Sequence, residues 1–146
     1  MALSRSFQNI PEKTGLMFVS NFLTDTSAWL EYFKGSRLGE KAKKIIEDKA
    51  NACFYCNIVI SETASKALRD GENAEEMIKA IMLLSKPANE TVKDAFDAGV
   101  LHAKRRLAGK EFSLADAVIA TLAKKNKCKI LTKDFHLKEF NAVLLE

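Results

Sequence analysis

The sequence predicts an α/β protein, with helices on both faces of a mostly parallel central sheet in a three-layer α/β/α arrangement. Short apolar runs of strand composition alternate with longer stretches of helical periodicity, and the strand cores are nearly continuous in their hydrophobicity. Parallel neighbours also need crossovers of a dozen or more residues, which the helical stretches between the apolar runs supply.

Taken in order, residues 1–17 are polar, carry Pro11 and Gly15 and show neither period. They are expected to form an N-terminal arm, with Met17 as an alternative start, ahead of a single domain over 18–146. Residues 18–23 read as the first strand and feed, through Asp25-Thr26-Ser27, a helix over 28–34. Leu38, Ala42, Ile45 and Ile46 recur at helical spacing among lysines and glutamates, predicting a second helix over 36–49. The segment 52–60 begins with strand composition and passes into a helix ending near Gly71. A helix over 74–84 is stopped by Pro87. A longer one follows, with Val92, Ala95, Phe96, Gly99, Val100, Ala103 and Leu107 as its apolar stripe and Gly109 at its end. Ser113 opens a helix to about 125, after which 128–132 reads as a strand, 135–140 as a helical turn and 142–145 as a last strand.

Composition narrows the class. At 146 residues and 47% hydrophobic, the chain suits one domain with a core of its own. Its longest nearly apolar stretch, 114–123, is about half of what a bilayer requires, and the N-terminus has no continuous hydrophobic signal core. Three cysteines do not suggest a paired secreted framework, so a soluble protein of the reducing cytoplasm with inert thiols is expected. The net charge of +4 is mild, but Lys104, Arg105, Arg106 and Lys110 cluster, as do Lys124, Lys125, Lys127 and Lys129. These clusters suit either solvated helix faces or contact with phosphates.

In open parallel sheets ligands bind beyond the carboxyl ends of the strands. Asp25 ends the first strand and Asp134 follows the strand over 128–132, so the two carboxylates converge if those strands are neighbours. Each is also a plausible helix N-cap. Asp116 is the only charge in 114–123, a helix apolar on nearly every side and therefore buried. A buried carboxylate is costly unless protonated, paired or bound to metal, although a capping-box role opposite Ser113 is the rival account. Glu62, where the second strand passes into its helix, is by itself an ordinary first-turn glutamate. Together the four acids point to one end of one sheet, where their mutual repulsion asks for a compensating cation. Oxygen-only ligands suit Mg²⁺ or Mn²⁺ rather than zinc, which prefers His or Cys.

The same residues carry a resemblance. Asp-Thr-Ser after the first strand, Ser61-Glu62, Ala-Asp-Ala-Val-Ile-Ala at the buried helix, and Thr-Lys-Asp-Phe followed by His136 resemble PIN-domain ribonucleases, particularly VapC-like toxins of toxin-antitoxin pairs. The resemblance spans residues 18–145 and lies in the order and spacing of the motifs; the N-terminal arm departs from it. It implies a PIN-like fold and a catalytic metal site of Asp25, Glu62, Asp116 and Asp134, holding one or two Mg²⁺ or Mn²⁺ ions. Thr132 and Ser27 would support the site with hydrogen bonds. It also implies cleavage of RNA phosphodiester bonds, an inhibiting antitoxin partner and a homodimer. A solitary PIN nuclease of RNA processing and a non-catalytic RNA- or partner-binding module are the competing readings. A phosphoacceptor receiver domain is weaker, since it wants an acidic pair after the first strand and a lysine after the last.

Other signals are discounted. Cys53-Phe-Tyr-Cys56 falls in an expected strand, where residues three apart face opposite sides. His102 and His136 read as structural or surface residues. Met77, Ile78, Ile81 and Met82 suit core or a dimer surface, and Trp29, Tyr32 and Phe33 suit either the interior or a partner.

Overall fold

A computed structural model describes residues 20–146. The arm expected over 1–17 and the first two residues of the first expected strand, Phe18 and Val19, lie outside them. The elements run β1 (Ser20–Thr24), α1 (Thr26–Lys34), α2 (Arg37–Ile46), β2 (Asn51–Tyr55), α3 (Asn57–Arg69), α4 (Ala74–Leu84), β3 (Lys86–Pro87), α5 (Val92–Leu107), α6 (Leu114–Lys125), β4 (Lys129–Thr132), a 3-10 turn (Phe135–Leu137) and β5 (Ala142–Leu144).

The strands form one sheet in the order β3-β2-β1-β4-β5, and every neighbouring pair is parallel. The chain starts at the centre, steps outward through β2 to β3, then crosses back to place β4 on the other side of β1. Right-handed crossovers in opposite directions put α1 to α4 on one face and α5 with α6 on the other. The crevice between the carboxyl ends of β1 and β4 is thus the topological switch point, where such sheets bind their ligands.

Local signals explain most boundaries. Asp25 caps α1, and Gly35 closes it in the left-handed region at φ 66°, its amide bonded to Tyr32 O. Capping boxes start α5 (Thr91 with Asp94) and α6 (Ser113 with Asp116). Gly39 sits where α1 and α2 touch: a Cβ there would lie 2.0 Å from the Glu31 carbonyl oxygen, so only glycine allows the approach. Trp29, Tyr32 and Phe33 pack inside, the Trp29 and Tyr32 rings edge to face at 5.6 Å, with Leu23, Val59, Ile81, Ile119, Leu122, Ile130 and Leu131 completing the core. Among the described residues no helix is long and apolar enough to cross a membrane.

The structure corrects four expectations. The β-branched run Ile58-Val59-Ile60 is helical: the strand stops at Tyr55, Cys56 is the N-cap of α3, and Val59, Thr63 and Ala67 bury one helical face. Glu62 therefore stands in the second turn of α3 rather than the first, and Cys56 lies beyond the strand that holds Cys53. Residues 86–87, read only as the stop of α4, form the short edge strand β3, a position that tolerates a proline. The apolar stripe of α5, to which the sequence assigns no facing, is turned outward, with Val92 and Phe96 89% and 70% exposed, and the buried side carries Asp94 and Ala98.

Candidate active site

Asp25, Glu62, Asp116 and Asp134 line one cleft of about 290 Å³ at the carboxyl edge of the sheet. β1 and β4 are neighbours, so Asp25 and Asp134 leave adjacent strand ends, and the Asp25 amide extends the ladder to Leu131 O at 2.9 Å. Asp116 comes from the first turn of α6, and Glu62 from α3. Among the described residues no lysine or arginine lines the cleft.

Asp25 is almost fully buried. Its Oδ1 accepts from the Thr26 amide at 2.8 Å, while Oδ2 accepts from the hydroxyls of Ser27 at 2.9 Å and Thr132 at 2.8 Å. Burial pushes its carboxyl above the ordinary carboxylate range; the three hydrogen bonds pull against that, and the nearby Glu62 charge adds to it. The expected supports Thr132 and Ser27 thus both touch Asp25. Thr132 Oγ1 also accepts from the Asp134 amide at 2.9 Å, and Ser27 Oγ accepts from the Lys133 amide at 3.0 Å. The loop after β4 is therefore tied to the start of α1 by hydroxyls.

Glu62 Oε1 accepts from the Thr26 hydroxyl at 2.8 Å. That contact was not foreseen, although Thr26 stands between two predicted site residues; a helical reading of 58–62 would have turned Glu62 toward it. Asp116 Oδ2 accepts from the Ser113 amide at 3.1 Å, which leaves Oδ1 without a protein partner among the described residues. The capping account of Asp116 holds, and the carboxyl that caps α6 also lines the cleft. Asp25 likewise caps α1, with protein donors on both oxygens, and Asp134 Oδ1 caps the 3-10 turn through the His136 amide at 2.8 Å. Helix N-termini carry partial positive charge, which lowers the cost of gathering carboxylates here.

His136, expected to be a structural or surface residue, is exposed and stands beside Asp134. Its Nδ1 lies 3.1 Å from Asp134 Oδ1, and Asp116, Asp134 and His136 offer ligand atoms all within 4.8 Å of one another. The donor set fits a hard divalent cation: several carboxylate oxygens, one raised acid and no internal cation to neutralise them. His136 adds a nitrogen at the rim.

The thiols are remote from such chemistry. Cys53, Cys56 and Cys128 are free and buried, and burial pushes Cys56 and Cys128 up to about 12, so both hold their protons at neutral pH. Of the two basic clusters, Lys127 and Lys129 lie at the opposite edge of the sheet, at the start of β4, whereas Arg105 and Lys110 reach Glu139 close to the cleft.

A parallel sheet with a carboxylate cleft at its switch point is the architecture of a known nuclease class, and the model of the PIN domain family matches residues 22–143. The chain belongs to the PIN domain family. Within it, the chain is 31% identical to Ribonuclease VapC11 of Mycobacterium tuberculosis, over 77% of this chain and 85% of that protein. Among solved structures, VapC20 of Mycobacterium tuberculosis, described as a sarcin-ricin loop cleaving toxin, matches with a TM-score of 0.64 at 19% identity, covering 84% of this chain and 96% of that one. VapBC2 of Rickettsia felis, solved bound to a DNA fragment from its promoter, matches with a TM-score of 0.62 at 16% identity, covering 85% and 96%. At those identities the two structures speak for the fold.

Proposed function

We propose that this chain is a VapC-type endoribonuclease that hydrolyses RNA phosphodiester bonds, with Asp25, Glu62, Asp116 and Asp134 as its metal-holding and catalytic set. The convergence of the four carboxylates from β1, α3, α6 and the loop after β4 on one cleft is the observation that carries this reading. Membership of the PIN family and the likeness to a ribonuclease along most of the chain support it.

One or two Mg²⁺ or Mn²⁺ ions held by these acids would engage a scissile phosphate oxygen, acidify a water and offset charge developing at phosphorus. The rest falls to side chains. Thr132, Ser27 and the Thr26 amide hold Asp25 in one orientation, and Thr26 fixes Glu62 beside it. Asp116 and Asp134 each spend one oxygen on a cap and turn the other to the cleft. A carboxylate of the set, once ionised, orients or deprotonates the attacking water.

The likeness to VapBC assemblies supports an antitoxin partner. The outward apolar residues Val92 and Phe96 of α5 support a second copy of the chain against this face. Three free, buried cysteines are in keeping with a reducing cytoplasm.

The test is cleavage of RNA by purified protein. Mn²⁺ or Mg²⁺ should support it and EDTA should stop it. Asp116→Asn should stay folded, its cap replaced by an amide oxygen, yet lose on the order of 10²-fold or more in rate. A folded Asp116→Asn protein that cuts at the wild-type rate removes the assignment.

A further inference from the structure

The geometry points to a nucleotide subsite beside the catalytic cleft, in which the exposed ring of Phe135 stacks on an unpaired base of the RNA next to the scissile phosphate. This rests on the ribonuclease reading above and specifies how the substrate is held.

A second cavity of about 330 Å³, bounded by Arg105, Lys110, Phe112, Phe135, His136 and Lys138 together with Glu111 and Glu139, adjoins the carboxylate cleft. His136 links the two: it lines this cavity, and its Nδ1 lies 3.1 Å from Asp134, which lines the other. A chain whose phosphate sits among the acids would pass its neighbouring nucleotide over His136. The cavity is at the small end of ligand clefts, suited to one base rather than to a duplex.

Phe135 directly follows Asp134 and is 68% exposed. The turn that carries it is rigid. Asp134 caps it through the His136 amide, the Leu137 amide bonds to Asp134 O at 3.2 Å, and the Leu137 side chain is fully buried as its anchor. The ring is thus a preorganised platform, and an aromatic face binds any unpaired base without regard to sequence.

The charges around it suit a phosphate chain. Lys138 Nζ lies 4.8 Å from the Phe135 ring centroid and makes no ion pair with the described residues. Glu139 is already engaged by Arg105 at 2.6 Å and Lys110 at 3.5 Å. Arg105 and Phe112 line the cavity, with Arg105 over the Phe112 ring at 5.5 Å and over Phe140, which stacks on Phe112, at 4.6 Å. Glu111, with its side chain 88% exposed, lies 3.9 Å from His136 Nε2 at the rim. Three cations against two acids leave the cavity net positive beside a negative cleft, a pattern that places the phosphate backbone along the rim.

The test measures binding apart from cleavage: fluorescence anisotropy of a labelled ten-nucleotide single-stranded RNA of mixed sequence, in EDTA, with the intact protein. Phe135→Ala should weaken binding at least about fivefold, the low end of what one stacked base contributes. Phe135→Tyr should restore most of it, and Leu68→Ala, an exposed apolar side chain on α3, should leave it unchanged. Duplex RNA of the same sequence should bind without dependence on Phe135. Unchanged affinity of Phe135→Ala, equal losses in the Ala and Tyr variants, or no RNA binding by wild type each overturns the subsite. In the first case the ring is left as a contact for a protein. If wild type binds RNA through Phe135 but cuts none with Mn²⁺, the ribonuclease reading fails and the subsite stands.

Discussion

The Thr132 hydroxyl donates to Asp25 Oδ2 at 2.8 Å and, through the same oxygen, accepts from the Asp134 amide at 2.9 Å. One fully buried side chain at the end of β4 thereby sets the spacing of two acids that arrive from different strands. A single hydroxyl does this because Asp25 and Thr132 leave neighbouring strand ends, and the register Thr24 to Leu131 leaves them almost level.

Thr132→Val tests that coupling. The change keeps the shape but removes both hydrogen bonds, leaving Asp25 with fewer donors in a buried place. Mn²⁺ affinity, measured by calorimetry, should fall about 10–100-fold, the usual cost of losing an outer contact to a ligand. Thr132→Ser should keep most of the affinity. Equal affinity in Thr132→Val and wild type would show that the acids are held by the backbone alone.

Asp25 carries a stability penalty that its function explains. Burial, aided by the charge of Glu62, lifts its folded-state pKa above the unfolded value of 3.8. The folded protein therefore binds its proton more tightly than the unfolded chain does, and stability falls as pH rises through the window between the two values. In EDTA, at a pH above that window, the penalty is present, so Asp25→Asn should there melt at a higher temperature than wild type. Added Mn²⁺ should raise the melting temperature of wild type and do so far less for Asp25→Asn. A metal-free Asp25→Asn protein less stable than wild type at that pH contradicts this account.

How much of this could be read from residues alone varies with the physics involved. Asp25, Asp116 and Asp134 were legible because each follows a sharp change of periodicity, and those changes locate the sheet edge. The start of α3 was not, because Ile58-Val59-Ile60 is β-branched and apolar, and strand and buried helix are equally served by such a run until Val59, Thr63 and Ala67 are seen to share a face. The α5 stripe gave the helix but not which way its apolar face turns. Periodicity marks a common face, but not whether that face meets the protein's own core or something else, and here the buried side holds Asp94, paired with Lys125 at 2.6 Å. His136 and Thr26 were missed for a different reason. Each acts on an acid through a contact set by backbone geometry after the motif, and no spacing rule announces it.

Lys133, between Thr132 and Asp134, points away from the cleft to Glu31, and this pair yields a prediction with a definite sign. Glu31 is buried in α1, with Lys133 Nζ at 2.6 Å from Oε1 and the Ser36 hydroxyl on Oε2. Burial alone would raise its pKa, but the bonds from Lys133 and Ser36 with the lysine charges outweigh that and hold it below the ordinary value of 4.5. A depressed carboxylate contributes stability above the unfolded pKa and loses it as pH falls through the folded one. Glu31→Gln should therefore destabilise the protein at pH 7, by about 1–2 kcal/mol once the partial exposure of Lys133 is allowed for. Urea unfolding at a series of pH values checks this: the gap between variant and wild type should shrink below pH 4.5. Because Lys133 anchors the loop carrying Asp134, the variant should also bind Mn²⁺ more weakly at pH 7. A Glu31→Gln protein that loses stability while keeping full metal affinity would confine Glu31 to holding α1 and α2 together through Ser36, with no part in placing Asp134.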